Sequence, residues 1–215
     1  MVKSAGKEEE NLDHLKEVGD YWDQRSEGFS DAINEEADSY VGEEWAERFK
    51  KALGDDSLEI LDDGAGAGFF SIILSRLGHK VTSIDYSKGM GEHLIENMKK
   101  RGLEPNAMQM DAQALEFADE SFDAVTSNYV YHNIHSTDKQ ELLLESLRVL
   151  KKGGCFAIHD IMGRAYGDME DFAQKLKDMG YEEVKLIKTD DGKFMTSTEA
   201  KIIRLNDSTL LVGKK

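Results

Sequence analysis

Hydrophobic and polar positions follow one pattern before residue 58 and another after it. In the first part of the chain, apolar side chains recur three or four positions apart between acidic residues, from Ile33 to Phe49. This periodicity predicts amphipathic helices, each with one apolar face. The helices predicted here span residues 11–27 and 30–51.

After residue 58, short apolar runs alternate with helical segments, which is the pattern of repeated strand–helix units. The predicted strands span residues 58–62, 80–85, 106–110, 121–128, 155–160, 184–188 and 208–214. The helices predicted between them are capped by Ser87, by Thr137 with Gln140 (a capping box for residues 138–151), by Asp168 and by Thr196.

Repeated strand–helix units build a mostly parallel sheet with helices on both faces. The last two strands are separated by only a short helix, so we predict that they form an antiparallel hairpin at the sheet edge. The predicted fold is α/β, with a Rossmann-like, seven-stranded, mostly parallel sheet whose last strand is antiparallel. One structural domain is expected, made of a flexible N-terminus (1–10), a helical cap (11–51) and the body of the fold (52–215).

Composition narrows the range of partners. Lysine and arginine number 27 against 43 aspartate and glutamate residues, which gives a formal net charge of −16. Such a surface repels nucleic acids and anionic membranes and favours neutral or cationic small molecules. Cys155 is the single cysteine and the first ten residues have no apolar core, so neither an intramolecular disulfide nor a secretory signal is predicted. The expected location is the cytoplasm, and the expected state is a monomer or a homodimer.

A glycine-rich loop, Gly64-Ala65-Gly66-Ala67-Gly68, separates the first predicted strand from the next helix. Glycine permits the sharp turn and lets a ligand approach the backbone closely. Ligands of open α/β sheets bind at the carboxyl ends of the strands. Asp85 ends the second strand about twenty residues later, where an acid accepts hydrogen bonds from ribose hydroxyls. The loop and the acid together indicate a cofactor that contains a nucleoside.

The spacing of the glycines distinguishes between cofactors. Dinucleotide-binding loops follow G-x-G-x-x-G, with a third glycine that lets the helix pack against the strand. Here Phe69 stands at that third position. A nicotinamide-dependent oxidoreductase is therefore a less favoured interpretation. A glycine turn that binds no ligand is also less favoured, because Asp85 stands at the matching position.

The G-x-G-x-G spacing at 64–68 resembles motif I of the class I S-adenosylmethionine (SAM)-dependent methyltransferases, in particular those with a methyltransferase domain of the type 11 or 25 kind. Further segments are similar to that family in the same order along roughly residues 20–160. They are YWDQRSEGF (21–29), IDYSKGM (84–90), MDAQALEFADESFDAV (110–125) and LRVLKKGG (147–154). The resemblance implies a Rossmann-like fold that binds SAM and releases S-adenosylhomocysteine.

By this resemblance, the glycine loop would lie against the methionine part of SAM, with Asp62 near its amino group. Asp85 would bind the ribose hydroxyls, and Asp111 would accept a hydrogen bond from the adenine amino group. The complete set of cofactor-binding positions that it implies is Asp62, Gly64, Ala65, Gly66, Gly68, Asp85, Tyr86, Met90, Asp111, Ala112 and Asn128.

The acceptor is expected beside the segment NYVYHNIH (128–135), which follows the fourth strand and is unusually polar and aromatic. His132 is the candidate base or substrate-orienting residue, although a histidine bonded only to loop backbone is an equal alternative. The candidate substrate-binding residues are Tyr21, Phe29, Tyr131, Asn133 and Asp160. The histidines and acids of this region fit no standard zinc spacing, so no metal is predicted.

The sequence also departs from the family pattern. Asp63 stands where an aliphatic residue is usual, on the strand face opposite Asp62. A carboxylate buried there needs a donor from a helix or a more open loop; otherwise it stays protonated. Gly89 and Gly91 lie in the first turns of a helix, where each costs up to about 1 kcal/mol relative to alanine.

Two classes of function follow from these observations. The first is a methyltransferase that moves a methyl group from SAM to a small-molecule acceptor by in-line displacement. Because the sulfonium is already activated, alignment and exclusion of water are sufficient for much of the catalysis. The second is a SAM-binding or interaction module without catalysis, which Asp63 and the lack of an evident proton-transfer motif make plausible.

Overall fold

The computed structural model describes residues 16–135, 137–189 and 207–215, and excludes the side chains of residues 29 and 31–34. Its helices are α1 (16–23), α2 (Ser26–Ala37), α3 (Tyr40–Leu53), α4 (Phe69–Arg76), α5 (Lys88–Lys100), α6 (Lys139–Arg148) and α7 (Met169–Asp178). Its strands are β1 (Glu59–Asp63), β2 (Lys80–Asp85), β3 (Ala107–Gln109), β4 (Phe122–Asn128), β5 (Leu150–Ile161), β6 (Glu182–Lys188) and β7 (Ser208–Lys214).

The strands form one sheet in the order β3-β2-β1-β4-β5-β7-β6. Neighbours from β3 to β5 pair in parallel, whereas β7 pairs antiparallel with both β5 and β6. This confirms the predicted mostly parallel sheet with an antiparallel last strand. The chain moves outward from β1 to β3 and then returns to β4 on the other side of β1. The carboxyl ends of β1 and β4 therefore form the switch point at which α/β sheets bind ligands.

Helices cover both faces of the sheet, as predicted. On one face, Ile60 of β1 packs in a cluster with Trp45, Phe70 and Leu94 from α3, α4 and α5. On the other face, Leu61 belongs to a cluster formed mainly with α6 and α7. Because successive side chains of a strand point to opposite faces, Asp62 continues the face of α4 and Asp63 the face of α6. None of the helices in the described ranges is both long and apolar enough to cross a bilayer.

The helix predicted over 30–51 is interrupted, and this prediction was wrong. Ser39 is extended (φ −95°, ψ 177°), and its hydroxyl accepts a hydrogen bond from the backbone N–H of Val41 at 3.2 Å. The hydroxyl thereby caps α3. A Cβ on Gly42 would lie 2.4 Å from the carbonyl oxygen of Ala37, so the corner between α2 and α3 is too tight for a continuous helix or a larger residue.

The helix predicted over 138–151 is shorter than expected, and its cap differs. Asp138, rather than Thr137, accepts the N–H of Gln140 at 2.8 Å. The helix ends at Arg148 because Leu150 already pairs with Phe122 of β4, so Gly153-Gly154 lies within β5 instead of ending a helix. The short helix predicted at Thr196 lies outside the described residues.

The N-terminal helices pack against α4 and α5, on the first face of the sheet. Asp23, at the end of α1, accepts hydrogen bonds from the Ser87 hydroxyl at 2.5 Å and the Gly89 N–H at 2.9 Å. A Cβ on Gly89 would lie 2.9 Å from the Ser26 hydroxyl, which accounts for a glycine in the first turn of α5. Nothing within 4 Å accounts for Gly91 in the same way. The helical cap is thus joined to the N-terminus of α5.

Replacing Asp23 tests this junction. Asp23→Ala removes the acceptor of two donors at a helix N-terminus, so the free energy of unfolding should fall by about 1 kcal/mol. Urea unfolding measures the change. Asp20→Ala is the matched control, because Asp20 is also exposed on α1. Equal unfolding midpoints for the two variants would show that the junction adds no stability.

Candidate active site

The glycine loop needs its three glycines for backbone conformation. Gly64, Gly66 and Gly68 have φ values of +72°, +52° and +102°, in the left-handed region that disfavours other residues. A Cβ on Gly64 would lie 2.3 Å from a methyl group of Val130, whereas a Cβ on Gly66 would meet no protein atom within 4 Å. The loop is therefore closed by protein at Gly64 and open at Gly66, where a ligand can approach the backbone.

Asp85 joins the end of β2 to this loop. Its carboxylate accepts the N–H of Gly66 at 2.8 Å on one oxygen and the N–H of Ser87 at 2.8 Å on the other. Burial raises the pKa of Asp85 to about 6, against the lowering effect of these bonds. Each oxygen retains acceptor capacity for a hydroxyl donor, as the predicted ribose contact requires.

Asp62 lies beneath the loop on the α4 face. It accepts the Ser71 hydroxyl at 2.5 Å, and Ser71 also contacts the Ser83 hydroxyl at 2.7 Å. Burial raises the pKa of Asp62 to about 7. A cationic group beside this carboxylate would favour its ionised form. The site thus suits a ligand with an ammonium group.

The predicted adenine-binding residues lie along the ends of β2 and β3. The ring of Tyr86 packs closely against Gly19 of α1, where a Cβ would lie 3.1 Å from the ring, and Met90 is buried. Asp111 accepts the backbone N–H of Gln113 at 2.9 Å, and the side-chain amide of Gln113 donates to its two oxygens at 3.3 and 3.4 Å. Ala112, which follows Asp111, is buried.

His132 is paired with Asp160 across the ends of β4 and β5. His132 lies in a short 3-10 helix, Tyr131–Asn133, and its Nδ1 lies 2.6 Å from Asp160 Oδ1. The backbone N–H of His132 donates to the other oxygen of Asp160 at 3.1 Å. The imidazole side chain is 29% exposed. With Nδ1–H directed at a carboxylate, Nε2 is the nitrogen that remains to accept a proton.

Asp160 acts on His132 and has no access to a ligand, because its side chain is 1% exposed. Although burial raises its pKa, the hydrogen bond and charge of His132, with the hydroxyl of Tyr166 at 2.6 Å, bring the pKa of Asp160 below its ordinary value. The N–H of Ile161 also donates to it at 2.7 Å. Sequence reasoning missed Tyr166, because its position depends on a second 3-10 helix, Arg164–Tyr166, that has no evident motif.

Tyr131, like Asp160, is a predicted substrate-binding residue whose side chain lies in the core. Its side chain is fully buried, and its hydroxyl donates to Asp63 at 2.7 Å and contacts the Ser146 hydroxyl at 2.6 Å. Ser146 donates to the same oxygen of Asp63 at 2.6 Å. Helix α6 therefore supplies a donor to Asp63, one of the two alternatives expected from sequence. A core position excludes Tyr131 from direct contact with an acceptor.

The remaining predicted substrate residues are distributed differently. Asn133 donates to the carbonyls of Tyr129 and Val130 at 3.3 and 3.2 Å, so its side chain closes the 3-10 turn. Tyr21 is 47% exposed and stacks under the guanidinium of Arg25 at 3.7 Å. The side chain of Phe29 lies outside the described residues.

His159 is a neutral structural residue beside Asn128. Its Nδ1 lies 3.0 Å from Asn128 Oδ1 and its Nε2 lies 2.8 Å from the Thr189 hydroxyl. Burial lowers the pKa of His159 to about 4. Asn128 is thereby held at the end of β4. In the described parts of the chain, no group of three or more His, Cys, Asp or Glu side chains is arranged to hold a metal.

Comparison with known proteins agrees with this geometry. Residues 61–158 match the family model described as a methyltransferase domain. Methyltransferase GfsG of Streptomyces halstedii is 31% identical over 178 residues, which are 74% of this chain and 62% of that protein. The chain spans between 40% and 54% of the length of four further curated relatives.

Solved structures share the fold. A Methanococcus maripaludis protein assigned as a SAM-dependent methyltransferase has a TM-score of 0.60 at 18% identity, covering 86% of this chain and 91% of that chain. Phosphoethanolamine N-methyltransferase 2 of Haemonchus contortus, solved in complex with SAM, has a TM-score of 0.58 at 18% identity. The match covers 80% of this chain and 52% of that chain. The chain is thus similar, in its matched segment, its strand order and its glycine loop, to the class I SAM-dependent methyltransferases.

Proposed function

We propose that this chain is an enzyme that transfers the methyl group of SAM to a small-molecule acceptor by in-line displacement. The observation that carries this proposal is the pair formed by His132, on the segment after β4, and Asp160 of β5. Val130 of the same segment lies against Gly64 of the glycine loop. SAM supplies a methyl group on a sulfonium, which is already activated toward a nucleophile. The protein's part is to hold the two reactants in line and to accept a proton when the acceptor carries one.

The residues at the glycine loop fit SAM. Buried Asp62 suits the ammonium group of its methionine part, Asp85 suits the ribose hydroxyls, and the open side of Gly66 leaves room for the ligand beside the backbone. We propose the full set of cofactor contacts as Asp62, Gly64, Ala65, Gly66, Gly68, Asp85, Tyr86, Met90, Asp111, Ala112 and Asn128.

His132 is the proposed general base. Asp160 keeps Nδ1 protonated, so Nε2 takes the proton that leaves the acceptor's nucleophilic atom. We therefore propose an acceptor that arrives protonated, such as a hydroxyl compound, and, given the net charge of −16, one that is neutral or cationic. Tyr21, Phe29 and Asn133 stay proposed neighbours of the acceptor, whereas Asp160 acts through His132.

The two competing functions lose their support. The non-catalytic module was supported by the unexplained Asp63 and by the lack of an evident proton-transfer motif. However, Asp63 accepts two hydrogen bonds, and His132 is hydrogen-bonded to Asp160. The nicotinamide-dependent enzyme requires a small residue at position 69, where buried Phe69 instead begins α4. Methyl transfer is the function that agrees with both observations.

Cofactor binding is tested first at Asp85. Asp85→Ala removes the acceptor for the ribose hydroxyls, so the affinity for S-adenosylhomocysteine should fall about tenfold to hundredfold. Isothermal titration calorimetry measures it, with thermal unfolding to confirm that the variant is folded. Glu104→Ala, an exposed acid after α5, is the control. Failure of the wild-type chain to bind SAM or S-adenosylhomocysteine at millimolar concentration would overturn the proposed function.

The pKa of Asp62 gives a second test. Only the ionised carboxylate attracts an ammonium group, and the pKa of Asp62 lies at about 7 because of burial. Affinity for SAM should therefore rise as the pH increases through about 7. Asp62→Asn should bind more weakly at high pH and lose that rise, while keeping any dependence near pH 6 that comes from Asp85. A wild-type affinity that is constant between pH 6 and 8 would contradict the contact.

Catalysis is tested at His132. His132→Gln cannot accept a proton, so methyl transfer should fall about 10²–10⁴-fold while S-adenosylhomocysteine still binds. The assay follows S-adenosylhomocysteine release from SAM across a panel of hydroxyl acceptors. His93→Gln, on α5, is the histidine control. Full turnover by His132→Gln with an acceptor that the wild type methylates would exclude this base.

A further inference from the structure

Asp63 is a fully buried carboxylate at a position where stability alone favours an apolar side chain. Its Oδ2 accepts hydrogen bonds from Tyr131 and Ser146, while its Oδ1 has no hydrogen-bond partner. Burial raises the pKa of Asp63 to about 6. Burying a carboxylate with one oxygen unpaired costs free energy that an aliphatic residue would avoid. Packing therefore does not explain why an aspartate stands at this position.

The bond to Tyr131 connects Asp63 to His132. Tyr131 and His132 are consecutive residues of the 3-10 helix, so the position of the buried Tyr131 ring fixes the backbone from which the imidazole extends. Asp160 holds the same helix from the other side, through the backbone N–H and Nδ1 of His132. Two buried carboxylates on different strands thus hold this helix between them.

A second contact joins the same two segments. Gly64 follows Asp63, and Val130 precedes Tyr131. A Cβ on Gly64 would lie 2.3 Å from Val130, so the glycine loop and the segment before the 3-10 helix pack without space between them. A packed contact and a hydrogen bond at adjacent residues leave little freedom for one segment to move alone.

We propose that Asp63 is a positioning residue that couples the cofactor loop to His132, so that a ligand bound to the loop changes the position of the His132 imidazole. This rests on the proposed function, in which the loop binds SAM and His132 is the base. Asp63 touches neither reactant. It acts by anchoring Tyr131 to the end of β1, which leads directly into Gly64.

The experiment records the imidazole nitrogen resonances of His132 by NMR during titration with S-adenosylhomocysteine. The spectrum of His132→Gln assigns these signals. In the wild type, saturation should shift them. Asp63→Val lacks the acceptor and Tyr131→Phe lacks the donor, and both should lose most of that shift while still binding the ligand by calorimetry.

Two further variants separate coupling from general stability. Asp63→Asn keeps an acceptor oxygen for Tyr131 and should retain the shift. Ser146→Ala removes the other donor to Asp63 but leaves Tyr131 bonded, so it should retain the shift as well. Thermal unfolding of all four variants at Asp63, Tyr131 and Ser146 confirms that each is folded at the temperature of the measurement.

The possible results distinguish failure of the coupling through Asp63 from failure of the proposed methyltransferase function. A wild-type chain that binds the ligand without any shift at His132 overturns the coupling and leaves SAM binding established. The coupling is also overturned if Asp63→Val and Tyr131→Phe are folded and keep the full shift at His132. If only one of these two variants folds, the shift measured in that variant decides. A wild-type chain that does not bind S-adenosylhomocysteine overturns both the function and the coupling.

Discussion

The end of β1 places two adjacent carboxylates, Asp62 and Asp63, on opposite faces of the sheet, and both are removed from water. Desolvation of a carboxylate costs several kcal/mol unless donors compensate it. On one face the compensation comes from Ser71 of α4, and on the other from Ser146 of α6 together with Tyr131. Hydrogen bonds to these two acids, together with apolar packing, therefore fix α4 and α6 relative to the glycine loop.

This arrangement favours ligand binding over stability of the free protein. Asp62, Asp63 and Asp85 lie near the same strand ends, and burial raises the pKa of each. A raised folded-state pKa means that the stability present at low pH is lost as the pH rises toward about 6 to 7. A ligand that brings a positive charge and hydroxyl donors to this edge offsets that loss. In the proposed complex, the free energy that burial of Asp62 and Asp85 costs the free protein contributes to cofactor affinity, whereas Asp63 contacts no ligand.

Much of the fold could be predicted from the sequence because strands and the glycine loop are local features. The alternation of apolar runs predicted the seven strands in the described part of the chain, and the left-handed glycines follow from the turn after β1. Helix ends were less predictable, because they depend on partners far along the chain. Pairing of Leu150 with Phe122 ends α6 three residues before its predicted end, and the tight corner at Gly42 divides the N-terminal helix.

The candidate site shows the same limit. The positions of its strand-end residues, such as Asp62 and Asp85, could be predicted because the strand determines where they lie. The roles of Tyr131 and Tyr166 were not found, since each depends on how a 3-10 helix folds back onto a buried acid. A tyrosine in a polar, aromatic segment is typical of a substrate contact. Only the three-dimensional structure reveals that one such ring points into the core.

Asp63 and Asp160 show that burial alone does not determine the charge of an acid. Both are fully buried, yet the pKa of Asp63 is raised and that of Asp160 is lowered. Asp63 accepts two hydroxyl donors on one oxygen, whereas Asp160 accepts the ring and backbone N–H groups of His132, the N–H of Ile161 and the hydroxyl of Tyr166. Donors on both oxygens and a neighbouring imidazole stabilise the anion. An acid that remains ionised keeps a proton on Nδ1 of His132, so Nε2 is the nitrogen that accepts a proton in the proposed reaction.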